Sequence, residues 1–334
     1  MAFEVYGANK SDTPSKGDVD FDAINQYVVK EAKLQRRETL TGVVSMLVDL
    51  GEQDQPDAEV TFVGTAEDEL AEIAKNSNTY FKDGFDQDTK KPVRLKCWPQ
   101  KPQQCIAIAV DFPDIIIDKG QFFGDSSPLP LRLWLGGQFY VPTKGMVIGR
   151  PTPLKYTNLD KTRATKVWSL AQNSLPYKMA VAAKLIEPGE AFLPERVDEL
   201  LGKAFQFTAQ VYMKPGKGGK EYYTEYVNFA AGLGRGQATP ELPFEALLVQ
   251  FNADNEADAV KNLRSHVVNT IKGANNYEGS KIKEQIEAVR GRKADSAEQA
   301  ETKPAEVKPK AKPAKVAKAA PVVQEPDFDD DLPF

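Results

Sequence analysis

Three consecutive stretches give the plainest structural signal in the chain: Ala204-Phe205-Gln206-Phe207-Thr208-Ala209-Gln210-Val211-Tyr212-Met213, then Lys214-Pro215-Gly216-Lys217-Gly218-Gly219-Lys220, then Glu221-Tyr222-Tyr223-Thr224-Glu225-Tyr226-Val227-Asn228-Phe229-Ala230. Aromatic and β-branched residues fill both flanks, and a Lys-Pro-Gly loop joins them, which predicts a β-hairpin. In the first flank Phe205, Phe207, Ala209, Val211 and Met213 share one face, while Gln206, Thr208, Gln210 and Tyr212 share the other. This period of two marks a strand with one buried side. In the second flank Tyr222 and Tyr226 lie on one face and Tyr223 and Phe229 on the other. One pair belongs to the core, and alternation does not say which.

Upstream of the hairpin the pattern is mainly that of strands. Thr39 to Leu50 is rich in β-branched residues, and Glu59 to Val63 reads as another strand. Cys105–Phe112 and Asp114–Ile117 are apolar runs broken by Pro113, and Leu131 to Leu135 alternates before Gly136-Gly137 and Gln138–Val141. Helical signals lie between and outside them. Phe21, Ile24 and Val28 recur at helical spacing within 20–37. Thr65-Ala66-Glu67-Asp68 is a capping box with Asp for Glu, opening a helix to about Lys75. Pro194 to Leu201 starts on proline and stops at Gly202. Val260, Leu263, Val267 and Ile271 fall on one helical face, and Lys281 to Gly291 predicts one more helix. The fold class expected is α+β, mainly β: an OB-like Greek-key barrel with added helices and a disordered acidic C-terminal tail.

Composition narrows the function. His266 is the single histidine, so a His-rich metal site is excluded, and a Ser-His-Asp triad would have to use it. Cys97 and Cys105 do not have zinc spacing, and two thiols in a chain of 334 residues fit a reducing cytoplasm. No run reaches the roughly 18 apolar residues of a membrane span, and Met1-Ala2-Phe3-Glu4 does not open like a secretory signal. The net charge of −5 is unevenly spread. Six Lys and nine Asp or Glu lie from Ala294 onward, and four Lys against six acids in the first 35 residues. The body between them is neutral and has cations to spare for one face.

The C-terminal region changes character. Residues 294–325 are mostly Ala, Lys, Pro, Glu and Val with repeated Lys-Pro steps and no aromatic residue, so a disordered linker is expected. It ends in Asp327-Phe328-Asp329-Asp330-Asp331-Leu332-Pro333-Phe334. A terminal phenylalanine offers a ring and an α-carboxylate together, which a pocket with an apolar floor and a cation at its mouth can capture. This end resembles that of bacterial single-stranded DNA-binding proteins, whose tip reads Asp-Phe-Asp-Asp-Asp-Ile-Pro-Phe, with Leu332 replacing Ile. The resemblance implies recruitment of replication, recombination and repair proteins through the tip. The body is about twice the size of that family's domain. It is similar in a looser way to OB-fold single-stranded DNA-binding proteins of tailed bacteriophages, through Thr41-Gly42-Val43-Val44, Val48-Asp49-Leu50-Gly51-Glu52-Gln53 and Leu200-Leu201-Gly202-Lys203. Members differ in oligomerisation, so a homo-oligomer is left open.

A single-strand binder needs aromatic faces for stacking and cations along a groove. Arg132 and Trp134 share a strand face opposite Leu131, Leu133 and Leu135, and are expected on the side away from the core. Tyr212, Lys214, Lys217, Lys220 and Tyr222 surround the hairpin loop, and a solvated turn would look similar. Lys144, Arg150, Lys155, Lys161, Arg163 and Lys166 face only one acid, Asp160, with Tyr156 among them and Trp168 just beyond. Gly232-Leu233-Gly234-Arg235-Gly236 opens no helix, so a dinucleotide site is not expected. Asp49, Glu52, Asp54 and Asp57 have the carboxylates of a Mg²⁺-dependent nuclease, but lie among Gln, Pro and Gly as a loop would. The expected organisation is a flexible N-terminus (1–19), a helix (20–37), an OB-like DNA-binding body (38–240), C-terminal helices (241–293), the linker (294–325) and a partner-binding tip (326–334). The function expected is non-enzymatic coating of single-stranded DNA, without cofactor, metal or membrane. A strand-annealing protein, a nuclease with a recruitment tail and an adaptor that binds no DNA are the alternatives.

Overall fold

The computed structural model describes residues 20–86, 89–123, 126, 128–141, 145–160, 162, 164–216, 219 and 221–291. The chain divides into two units, Met1–Arg292 and Lys293–Phe334. The N-terminal segment 1–19, the linker, the tip Asp327 to Phe334, and Lys144, Lys161, Arg163, Lys217 and Lys220 lie outside the described residues.

Helix α1 (Phe21–Ala32) begins where the Asp20 side chain accepts from the backbone N–H groups of Asp22 and Ala23. It buries Ile24, Val28, Val29 and Ala32, and ends at Lys33 in the left-handed region. Strand β1 (Glu38–Gln53) follows and is the axis of the fold. It leads into a small unit: β2 (Ala58–Phe62), α2 (Ala66–Lys75), β3 (Tyr80–Phe85) and β4 (Pro92–Trp98), with β4 central in the three-stranded sheet. The Thr65/Asp68 capping box is formed, with the carboxylate standing in for the usual Glu. Helix α2 buries none of its residues, and ion pairs hold it to β4, Glu69 to Arg94 and Glu72 to Lys96.

The chain then returns through β5 (Gln103–Asp118), α3 (Gly120–Phe123), β6 (Pro128–Trp134), β7 (Gln138–Val141), β8 (Gly145–Ile148), β9 (Thr152–Pro153), β10 (Tyr156–Asn158) and β11 (Trp168–Leu170). Helix α4 (Leu175–Ala182) and a 3₁₀ helix (Pro194–Leu200) precede the predicted hairpin, β12 (Ala204–Pro215) and β13 (Glu221–Gly232). Strand β14 (Leu247–Val249) and helices α5 (Ala257–Lys261), α6 (Ser265–Lys272) and α7 (Lys281–Ile286) complete the unit. The main sheet has seven strands in the order β13-β12-β1-β5-β6, with β14 on β1 and β9 on β5. All neighbours are antiparallel except β14 beside β1. The fold is therefore α+β and mainly β.

Strand β1 can serve both halves because it is long and irregular. Glu38 to Val43 pairs with β12, and from Val43 onward the strand pairs with β5, with irregularities at Val44/Met46 and Asp49/Glu52. Gly42 sits where the sheet folds over its own core: a Cβ there would lie 2.5 Å from Val110 and 3.0 Å from Phe207. Among the described residues the sheet does not close into a barrel by a β6–β13 ladder, which corrects that expectation. The reason is chemical. Trp134 N donates to the buried Glu225 carboxylate at 3.3 Å, taking a side chain where a ladder would offer a carbonyl. Tyr223 donates its hydroxyl to the same carboxylate at 3.0 Å. One backbone bond, Gly136 N to Val227 O at 3.2 Å, crosses the seam.

Two cores lie on opposite faces of this sheet. The first joins Val44, Leu47, Ile108, Val110, Leu133, Phe205, Phe207 and Val211 to α1, α4 and the 3₁₀ helix. Tyr223 and Phe229 pack against it, which decides between the two pairs of the second hairpin strand. The second core places Met46, Val48, Leu50, Ala107, Ala109 and Trp134 under Val260, Leu263, Val267, Ile271, Ile282 and Ile286 of the C-terminal helices. All four residues of the predicted helical stripe, 260, 263, 267 and 271, are buried here.

Candidate nucleic-acid interface

The C-terminal helices decide which outward-facing residues are accessible. Trp134 does point away from the first core, but it is only 1% exposed and its ring meets His266 edge-on at 5.6 Å. Arg132 makes a two-bond pair with the buried Asp111, Nε to Oδ1 at 2.8 Å and Nη2 to Oδ2 at 2.9 Å. The Phe244 ring lies 5.4 Å from its guanidinium, and Arg264 donates to its carbonyl. The expectation of an open Arg132–Trp134 face is thus corrected. The alternation holds, but residues more than a hundred positions downstream cover that side.

Among the described residues, the C-terminal helices do not roof the other half of the outer face, where Gln237 reaches Gln206. Here the N-terminal part of β1 contributes Thr39 and Thr41, β12 contributes Gln206, Thr208, Gln210, Tyr212 and Lys214, and β13 contributes Tyr222, Thr224, Tyr226 and Asn228. Each is half-buried or exposed, and none carries a carboxylate. Tyr222 is 52% exposed. The register brings Lys214 opposite Tyr222, Tyr212 opposite Thr224 and Gln210 opposite Tyr226.

Arg37 and Tyr226 form a station on this face that sequence reasoning missed. The Arg37 guanidinium lies 4.4 Å from the centre of the Tyr226 ring. Asn228 donates to the Tyr226 hydroxyl at 2.6 Å, and Gln210 donates to the Gln35 carbonyl at 2.9 Å. A stacked guanidinium and phenol, fixed from both sides, present a flat cationic surface. Arg37 comes to Tyr226 only because Glu38 pairs with Ala209, a contact between residues far apart in the chain.

A second aromatic group stands on the β10–β11 hairpin. Tyr156 pairs with Leu170 and Asn158 with Trp168, so Tyr156 and Trp168 are diagonal neighbours on one face. They are 52% and 51% exposed. Lys155 and Lys166 beside them are exposed and make no ion pair among the described residues. Asp160, the one acid in this segment, is occupied internally: hydrogen bonds from Thr162 and Thr165 hold its carboxyl well below the usual carboxylate range. Arg150 is also exposed, and its backbone N–H donates to Leu135 O.

Burial pushes the Cys105 thiol up to about 11, which keeps it protonated and unreactive. Burial holds His266 down to about 4, and its half-buried ring lies against Trp134 of the second core. Asp49 accepts from Gly51 N and from Gln104, a loop-forming arrangement, and burial raises its pKa. Among the described residues no group of three His, Cys, Asp or Glu is placed to hold a metal ion, and no helix is long and apolar enough to cross a membrane. The connection 54–102 holds ten acids and seven bases and so carries a net negative charge. No protein-family model, curated protein or solved structure matches the chain.

Proposed function

We propose that this protein binds single-stranded DNA on the open outer face of β1, β12 and β13, without an enzymatic step. The observation that carries this is the Arg37–Tyr226 stack on a sheet face that has tyrosines, amides and a lysine but no carboxylate. Every base has a π-face, so stacking tolerates any sequence, and cations neutralise phosphates without reading bases. An OB-type body is part of the proposal. A three-strand meander (β1, β5, β6), a helical crossover and a hairpin returning to β1 support it. The tip, by its resemblance, recruits replication, recombination and repair proteins to the coated strand.

The test is fluorescence anisotropy with labelled oligo-dT and with duplex DNA of equal length, across a salt series. The single strand binds more tightly than the duplex, and affinity falls as salt rises. Tyr226→Ala weakens single-strand binding about tenfold, within the roughly 1–3 kcal/mol that one base–aromatic stack contributes. Failure of the intact protein to bind oligo-dT at low salt would sink the proposal. Acceleration of pairing between complementary oligonucleotides would shift it toward annealing.

A further inference from the structure

We infer that the β10–β11 hairpin is a second, separate stacking station for an unpaired base, so that one DNA strand engages the body at two places. The inference rests on the single-strand-binding proposal and extends it to a surface that the Arg37–Tyr226 station does not reach.

Two strands of three residues each make a hairpin that is marginal without support. Here the turn is braced heavily from within. Asp160 takes four hydrogen bonds, from the N–H and hydroxyl groups of Thr162 and Thr165. Asn158 accepts from the N–H groups of Asp160 and Val167, and donates to Thr165 O. The base of the hairpin is anchored too: Leu170 is fully buried, and its N–H donates to Phe192 O. On this stiff support Tyr156 and Trp168 leave half their surface in solvent. Diagonal neighbours are about 7–8 Å apart backbone to backbone, and these two rings make no contact with each other. A rigid, exposed aromatic pair needs no reorganisation to accept a flat ring. Flanking Lys155 and Lys166, free of ion pairs among the described residues, favour an anionic partner over a cationic or neutral one. A nucleotide supplies both the flat ring and the negative charge.

The two stations sit at opposite ends of β1. Arg37 immediately precedes its first residue. The β10–β11 hairpin follows Leu154, whose N–H donates to Gln104 O, and Gln104 pairs with Glu52 near the end of β1. A strand that touches both must therefore run along the body, and a short oligonucleotide reaches only one.

Trp168 also makes the station observable. Trp134 is buried, and Trp98 is half-buried with Lys96 over its ring, so Trp168 is the most exposed of the three indoles. The experiment uses the full chain and oligo-dT from about 4 to about 16 nucleotides, the footprints spanned by OB-type folds. Indole emission and the anisotropy of a labelled oligonucleotide are followed together. Binding by the parent quenches emission and tightens with length. Trp168→Ala lowers affinity for the longer oligonucleotides about tenfold and flattens the length dependence. Trp168→Phe keeps the affinity but loses the quenching. Lys155→Glu with Lys166→Glu, a surface change that spares packing, reproduces the weaker long-oligonucleotide binding. If the parent and Tyr226→Ala behave as proposed above while Trp168→Ala and the double Lys variant bind within twofold of the parent at every length, the second station is wrong and the single-strand proposal stands. If the parent binds no single strand, both fall. A length-independent loss in Trp168→Ala would also overturn the two-station arrangement.

Discussion

Arg132 shows how a single position changes meaning with its surroundings. Beside Trp134 in sequence it reads as a cation offered to DNA, yet in the fold its guanidinium neutralises Asp111, whose side chain is 1% exposed. A carboxylate buried that deeply has lost its water, and only a paired cation with two aligned bonds offsets the loss. Arg132→Ala leaves Asp111 uncompensated and is expected to destabilise the protein by about 3–5 kcal/mol, measured as a lowered urea midpoint. Single-strand affinity, measured well below the unfolding transition, stays unchanged. Loss of affinity with unaltered stability would return Arg132 to the DNA face. Arg37 is the converse. It attracts no notice at the junction of α1 and β1, and becomes a candidate contact only when the register sets it over Tyr226.

Helix α6 forms part of the roof over the second core. It lays His266 against Trp134 and holds the layer down through Arg264, which donates to Arg132 O at 3.3 Å. Burial first, and the nearby Arg264 second, keep the imidazole neutral, with a pKa near 4 against 6.5 for a free histidine. The unfolded chain therefore binds the proton more readily between these values, so stability is full above about pH 6.5 and declines as pH falls toward 4. The decline from pH 7 to pH 5 is at most about 2 kcal/mol, and His266→Phe removes it. Glu225 acts in the opposite sense, since burial raises its pKa, but it is common to parent and variant and cancels in the comparison. Equal urea midpoint shifts between pH 7 and pH 5 in the two proteins would show that α6 does not shield the ring. The β12–β13 pair was legible in the sequence because a strand with one wet face alternates. The β10–β11 pair was not, since its strands are three residues long and its order comes from Asp160 and Asn158 bonding to their own turn.

At the scale of the whole molecule the question is how the body and the C-terminal region divide the work. Residues 294–325 have no aromatic side chain and few large apolar ones, so they are expected to add little to folding energy. A chain ending at residue 293 is expected to keep the thermal midpoint of the intact protein within a degree or two, on the order of what surface changes cause. It should bind single strands equally well or more tightly, having lost the acidic end, and fail to retain tip partners. Calorimetry, anisotropy and a binding assay with a tip-recognising repair protein check the three parts. A markedly lower midpoint would make the tail part of the fold.

The sequence alone determined what local pattern can encode. It carried the existence and alternation of the long strands, the capping box at Thr65, the apolar stripe 260–271 and the aromatic, acidic end. These depend on neighbours a few residues apart, where spacing translates directly into facing. Only the tertiary structure decided which half of the sheet's outer face is open. Alternation separates the two sides of a strand but is blind to what lies over each, and here one side of β1, β5 and β6 is roofed by helices from the far end of the chain. The same blindness hid the pairing of Arg37 with Tyr226 and the occupation of the β6–β13 seam by Glu225, because each is made by residues that only folding brings within bonding distance.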